Sequence, residues 1–203
     1  MKFLHISDLH FHSHSQDNKK ANELLTMIKE NYPEHRLIVT GDITDDGAAL
    51  QFENAYKALE PFKGKVYIAP GNHDFAAAGN LYSEERAHCF DMMLSIPLQQ
   101  GGTFAAFNSP VVNVVKDASG AAMLIALDTN LETPLLFTGA RGKVGDEQLT
   151  LLGRVLSDAS SADCAKLLFF HHHPFLHSQP GMFLVDADDL FNTIYGRVDV
   201  LLF

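Results

Sequence analysis

The sequence predicts an α/β fold built from βαβ units around a largely parallel central sheet. Two observations carry this. Short buried-type apolar runs alternate with segments of helical period through the first part of the chain. Polar, chemistry-bearing residues also gather just beyond the ends of those runs, where open α/β sheets place their ligands. With 203 residues and 46% hydrophobic content, the chain can bury one sizeable core, so 1–203 is expected to be a single domain.

The elements follow in order. Phe3–Ile6 is a short apolar run interrupted by His5, and it leads into Ser7-Asp8-Leu9-His10. Asn18–Asn31 sets Ala21, Leu24, Leu25 and Ile28 at helical spacing, and Pro33 stops it. Leu37–Val39 is a second strand, opening through Thr40 into Gly41-Asp42-Ile43-Thr44-Asp45-Asp46-Gly47. Ala48–Leu59 is helical and ends before Pro61. The run at Val66 is a third strand, which breaks at Pro70-Gly71 and presents Asn72, His73 and Asp74.

Asn80–Met93 reads as a helix with an acidic start. Phe104–Phe107, Val111–Lys116 and Ala121–Leu127 are strand-like runs at hairpin spacing, so an antiparallel portion is expected. Asp146–Leu156 is a helix with Leu149, Leu152 and Val155 along one face. Lys166–Phe170 is a strand ending in His171-His172-His173-Pro174, Asp188–Tyr195 is a short helix, and Val198–Phe203 is another strand.

Composition excludes several function classes. There are 15 Lys+Arg against 25 Asp+Glu, and 15 − 25 = −10. That balance argues against a nucleic-acid surface or an anionic-membrane surface, and it disfavours a DNA nuclease. A local metal centre could still bind one phosphate group. No apolar run reaches membrane-spanning length, and Met1–Ile6 is too short and mixed for a signal peptide. Cys89 and Cys164 match no zinc spacing, and the expectation is reduced, buried thiols in a cytoplasmic protein.

Four strand ends carry Asp-x-His, Gly-Asp-x-x-Asp, Gly-Asn-His-Asp and a histidine triplet before Pro. Carboxylate, imidazole and amide oxygen together suit borderline divalent metals such as Mn, Fe or Zn. A carboxylate can bridge two ions, and an ion pair clamps both the attacking and leaving oxygens of a phosphoryl group.

The set Asp8-Leu9-His10, Gly41-Asp42-Ile43-Thr44-Asp45, Gly71-Asn72-His73-Asp74 and His172-His173-Pro174 resembles the calcineurin-like metallophosphoesterases in order and spacing, over nearly the whole chain. Gly142–Leu152 is similar to a helix start seen in the phosphodiesterase branch. The resemblance implies a four-layer α/β/β/α sandwich with mixed sheets and two divalent metal ions at one edge. It implies Asp8 and His10 on the first ion, Asp42 bridging, and Asn72 with His172 on the second, His172 being the histidine two residues before Pro174. It further implies His73 and Asp45 as the catalytic residues. His73 would stabilise charge or protonate the leaving oxygen, oriented by Asp45, and a metal-held hydroxide would attack.

Two departures refine what the resemblance implies. Asp46 stands where the family's protein phosphatases have a phosphate-binding Arg, and Asp74 where they have Glu. Both shift the expectation toward phosphodiesterases on small substrates such as cyclic nucleotides or glycerophosphodiesters. The family's last motif, Gly-His-x-His, is expected after a strand like Val198–Phe203, so the chain is expected to lack the family's C-terminal part. The other reading is a non-catalytic metal-binding or scaffold domain of the same fold. Intact Asp45 and His73 weigh against that reading, and the missing imidazole pair weighs for it.

The remaining polar residues have plainer expectations. His5 is a satisfied strand residue, and His12 and His14 lie on a solvated loop. His35 and His88 are surface residues. Of His171 and His173, one lines the cleft and the other packs, while His177 reaches the cleft weakly. Asp128 makes a structural turn, and Asp74 orients its neighbours by hydrogen bonds.

Overall fold

A computed structural model describes residues 1–77, 81–105, 109–130, 140–158, 163–175 and 183–203. The first sheet is parallel, in the order β1 (Phe3–Ile6), β2 (Arg36–Thr40), β3 (Val66–Ala69). Helices α1 (Lys19–Asn31) and α2 (Ala49–Leu59) make the crossovers. Of the residues that the helical period picked out on α1, Ala21, Leu25 and Ile28 are buried and Leu24 is half-buried, while α2 buries Phe52, Ala55 and Leu59. Every residue of β3 is buried, as expected of a strand covered on both sides.

A second sheet has the order β6-β7-β8-β9, with β6 (Val111–Asp117) and β7 (Gly120–Ala126) forming an antiparallel hairpin. The strands β8 (Cys164–Phe169) and β9 (Val200–Leu202) add parallel to β7. The largely parallel sheet expected of the first part of the chain is thus β1-β2-β3, and a second, mixed sheet stands beside it. The physical reason lies in alternate burial along β7 and β8. Leu124, Ala126, Leu167 and Phe169 join the core shared with the first sheet. Met123, Ile125 and Leu168 instead join a separate core with α5 (Asp146–Ser157) and α6 (Ala187–Ile194). Helices, sheet, sheet and helices stack in four layers, as the resemblance implied.

Between the sheets in sequence lie a one-turn helix α3 (Asn72–Phe75), a small hairpin of β4 (Ala76–Ala77) with β5 (Leu81–Tyr82), and α4 (Glu84–Phe90). The expected helix from Asn80 begins later among the described residues. Ser83 caps α4, accepting from Arg86 N at 3.4 Å, and the helix runs on into a π-helical turn at Asp91–Ser95. Phe104 and Ala105 do not form the expected strand. Their amides donate to the buried Asp91 carboxylate at 2.9 and 2.8 Å, and residues 106–107 lie outside the described residues. Both cysteines are free, but half-buried rather than buried.

An aromatic clamp joins this middle region to the site. The ring of Phe90, fully buried, stands edge-on to Phe52, Phe75 and Phe104, with centroids 6.1, 5.5 and 5.7 Å away. Phe75 ends the helical turn that begins with Asn72 and His73. Phe90→Ala should cost about 3–5 kcal/mol in urea unfolding. An unfolding midpoint equal to that of the parent would show that the clamp carries no stability.

Candidate metal centre

The loops after β1 and β2 zip together beyond the strands themselves. Asp8 N donates to Gly41 O at 3.1 Å, His10 N to Asp42 O at 2.9 Å, and Phe11 N to Ile43 O at 2.8 Å. Asp45 N returns a bond to Phe11 O at 3.1 Å, and Phe11 is fully buried as the anchor. Asp8, His10 and Asp42 all take left-handed backbone, with φ of 57°, 45° and 48°. Non-glycine residues rarely adopt that region, and such strain concentrates at functional loops.

Asp74 ties the third loop to the second. It is fully buried and accepts from Thr44 N and Thr44 Oγ1, both at 2.8 Å, from Gly71 N at 2.9 Å, and from Ile43 N at 3.2 Å. The expected orienting role is what the geometry holds. Burial, and then the charge of Asp42, push its carboxyl up to about 6 against these hydrogen bonds. The tie also needs Gly71, because a Cβ there would overlap Asp42.

The expected ligands converge on one cleft of about 320 Å³, lined by Asp8, Asp42, Asn72, His73 and His172 among others. His10 adjoins it, with Nε2 at 3.9 Å from Asp8 Oδ1 and 3.8 Å from Asp42 Oδ2. Asp8, His10 and Asp42 offer ligand atoms all within 4.8 Å of one another, and so do His10, Asp45 and His73. His172 belongs to neither tight group and comes from the second sheet.

Its ring is buried. Nδ1 lies 2.8 Å from Thr129 Oγ1, while the buried Nε2 has no hydrogen-bond partner. Burial, and then the neighbouring His171 ring, push its pKa down to about 3, so it is neutral and able to ligate. The orphaned Nε2 of His172, and His10 Nε2 beside the carboxylates of Asp8 and Asp42, fit a divalent cation.

One contact differs from expectation. His73 Nδ1 bonds Asp45, but at the backbone carbonyl, 2.5 Å away, not at the carboxylate. The Asp45 carboxylate instead faces the rings of His10 and His12 at 3.6 and 3.3 Å. His73 N also donates to Asp42 Oδ1 at 3.0 Å.

Sequence reasoning missed three supports. His171 sits between the sheets, with Nδ1 at 2.8 Å from Thr40 O and Nε2 at 3.4 Å from Asp42 Oδ2. Gly142 lies so close to the His172 ring that a Cβ there would overlap it. Buried Gln148 bonds both backbone groups of Asp128 and so pins the end of β7 to α5. The motif around Gly142 was legible, and its role as a wall behind His172 was not.

The plainer expectations mostly stand. His5 Nε2 lies 2.8 Å from Thr40 Oγ1. Asp128 makes a turn, accepting from Asn130 N at 2.8 Å. His35 packs edge-on to Tyr32, 5.3 Å between centroids. Both His171 and His173 line the cleft, though only one was expected there. His177 lies outside the described residues.

The chain matches the Calcineurin-like phosphoesterase family over residues 1–203. It is 26% identical over 210 residues to a 3′,5′-cyclic adenosine monophosphate phosphodiesterase, CpdA of Escherichia coli (strain K12). The match covers 100% of this chain and 64% of that protein, so the chain spans less than two thirds of this relative's length. It is 32% identical over 115 residues to a 3′,5′-cyclic-nucleotide phosphodiesterase, alr5338 of Nostoc, covering 54% of this chain and 40% of that one. A dimetal phosphatase from Danio rerio shares the fold, with a TM-score of 0.62 at 13% identity over 95% of this chain and 76% of that one. No helix among the described residues is long and apolar enough to cross a membrane.

The His171–Asp42 contact gives a pH dependence. Burial would lower the His171 pKa, but the Asp42 carboxylate outweighs it and pushes the ring up to about 9. The folded ring thus holds its proton above the ordinary 6.5. Its stabilising contribution is complete below pH 6.5 and is lost as pH rises through about 9. Chelator-stripped protein should lose stability across that window, and His171→Asn should flatten the slope in urea unfolding. Parallel slopes for the two proteins would show that the pair contributes nothing.

Proposed function

Because the chain belongs to the calcineurin-like phosphoesterase family, we propose that it hydrolyses small phosphodiesters at a centre of two divalent cations. The observation that carries this reading is the convergence of Asp8, Asp42, Asn72, His73 and His172 on one cleft, with His10 beside it. Asp8 and His10 would hold the first cation, Asn72 and His172 the second, and Asp42 would reach both. Bound there, the ions would neutralise phosphate charge and lower the pKa of water, with Mn, Fe or Zn suited to this donor set. The cyclic-nucleotide phosphodiesterases among the relatives favour a 3′,5′-cyclic nucleotide as the substrate.

The chain's own residues divide the remaining work. A carbonyl only accepts, so the bond to Asp45 O keeps a proton on His73 Nδ1. In the imidazolium form Nε2 carries the second proton, and that is the proton the leaving oxygen would take, leaving the neutral ring with its proton on Nδ1. The bond from His73 N to Asp42 Oδ1 sets this ring against the shared carboxylate.

Asp42→Ala should reduce bound metal most, by elemental analysis, because one carboxylate serves both ions. His73→Ala should keep its metal and lose about 10²–10⁴-fold in turnover of bis(p-nitrophenyl) phosphate with added Mn²⁺. If His73→Ala strips metal and leaves the rate per bound metal unchanged, His73 is a ligand and these roles are wrong. Metal uptake without any phosphodiester turnover by the parent would favour the scaffold reading.

A further inference from the structure

Asp45 stands where three histidines meet. One carboxylate oxygen lies 3.6 Å from His10 Nδ1, and the other lies 3.3 Å from His12 Nδ1. Its carbonyl accepts from His73. The metal-centre reading uses His10 through Nε2, the nitrogen facing Asp8 and Asp42. Nδ1 is the opposite corner of the ring, and it is buried with no hydrogen-bond partner. A histidine that ligates through one nitrogen is usually aimed, and made a stronger donor, by a carboxylate on the other. Asp45 occupies that place.

His12 backs the carboxylate from the far side, and its backbone is held firmly. His12 N donates to Asn18 Oδ1 at 2.7 Å, and His12 O accepts from Asn18 Nδ2 and Asn54 Nδ2, each at 2.9 Å. Asn18 is buried, so both edges of the His12 peptide are fixed from within the protein while the ring stays accessible.

We propose that Asp45 and His12 are positioning residues for the metal centre. The Asp45 carboxylate faces the Nδ1–H edge of His10 and aims Nε2 at the cation, and His12 supports the second oxygen of Asp45. The two groups of Asp45 then serve different partners, the carboxylate acting on His10 and the carbonyl on His73. This inference rests on the metal-centre reading above.

The test is Mn²⁺ affinity, measured by competition with a chromophoric chelator, together with urea unfolding of the metal-free proteins. Asp45→Asn should weaken Mn²⁺ binding by about 10- to 100-fold at an unchanged unfolding midpoint. His12→Ala should weaken it less. The double variant should bind no more weakly than Asp45→Asn, because His12 acts through Asp45. Affinity equal to the parent's in Asp45→Asn overturns the inference, as does a double variant in which the two losses add in full. Should Asp45→Asn fail to fold, His12→Ala decides alone. Weakened Mn²⁺ binding at the parental midpoint supports the inference, and parental affinity overturns it. A parent that takes up no Mn²⁺ overturns the metal-centre reading and this inference together, whereas a binding parent matched by its variants overturns this inference alone.

Discussion

The site depends on one buried carboxylate. Asp74 gathers hydrogen bonds from the loops after two different strands. An aliphatic side chain would leave the amides of Ile43, Thr44 and Gly71 buried without acceptors, at about 1–3 kcal/mol each. An amide would bring an N–H toward groups that already donate. With Asp74 in place, Asp42 and Asn72 are fixed relative to each other before any ligand arrives. The left-handed backbone at Asp8, His10 and Asp42 is then a cost of folding rather than of binding.

The second sheet supplies the opposite wall by different means. His172 is aimed by Thr129 on one side and walled by Gly142 on the other. Asp186 accepts from the amides of Val144 and Gly145 at 3.0 and 2.8 Å, which ties the segment containing Gly142 to the start of α6. His171, one residue earlier, points back and bonds the first sheet at Thr40. Neighbouring histidines thus face different layers, as alternation along an extended chain requires.

Most of the first sheet and its loops could be read from the sequence. Apolar runs of four or five residues, a helical period and breaking prolines locate β1, β2, β3, α1 and α2 within a residue or two. Residue type and position at strand ends marked the polar cluster, and the family resemblance implied which of its residues, His172 among them, are ligands. The two sheets came from the resemblance and not from the apolar pattern, because their layering depends on which face of β7 and β8 is covered, and both faces are apolar. Phe104 misled for a related reason. An apolar residue in a short run looks like a strand, yet here it is a buried anchor whose amide caps a carboxylate. The Asp45–His73 contact was legible as a pairing but not as a carbonyl bond, since sequence names a side chain and says nothing of which group on the residue is used. His12 carried no signal, because its partner is 33 positions away along the chain.

The bonds from Asp8, His10 and Phe11 to the β2 loop continue the parallel pairing of Phe3–Ile6 with Arg36–Val39. The site is therefore written in the same register as the core. A slip of one position between β1 and β2 would turn Ile38 and Val39 to the wrong faces, and it would also set Asp8 against the wrong peptide of the second loop. A mispaired folding intermediate could not assemble a counterfeit centre. The alignment that brings acid and imidazole together is proofread by the oil beneath it, and metal captured early by stray carboxylates would find no stable cage until the strands had paired correctly.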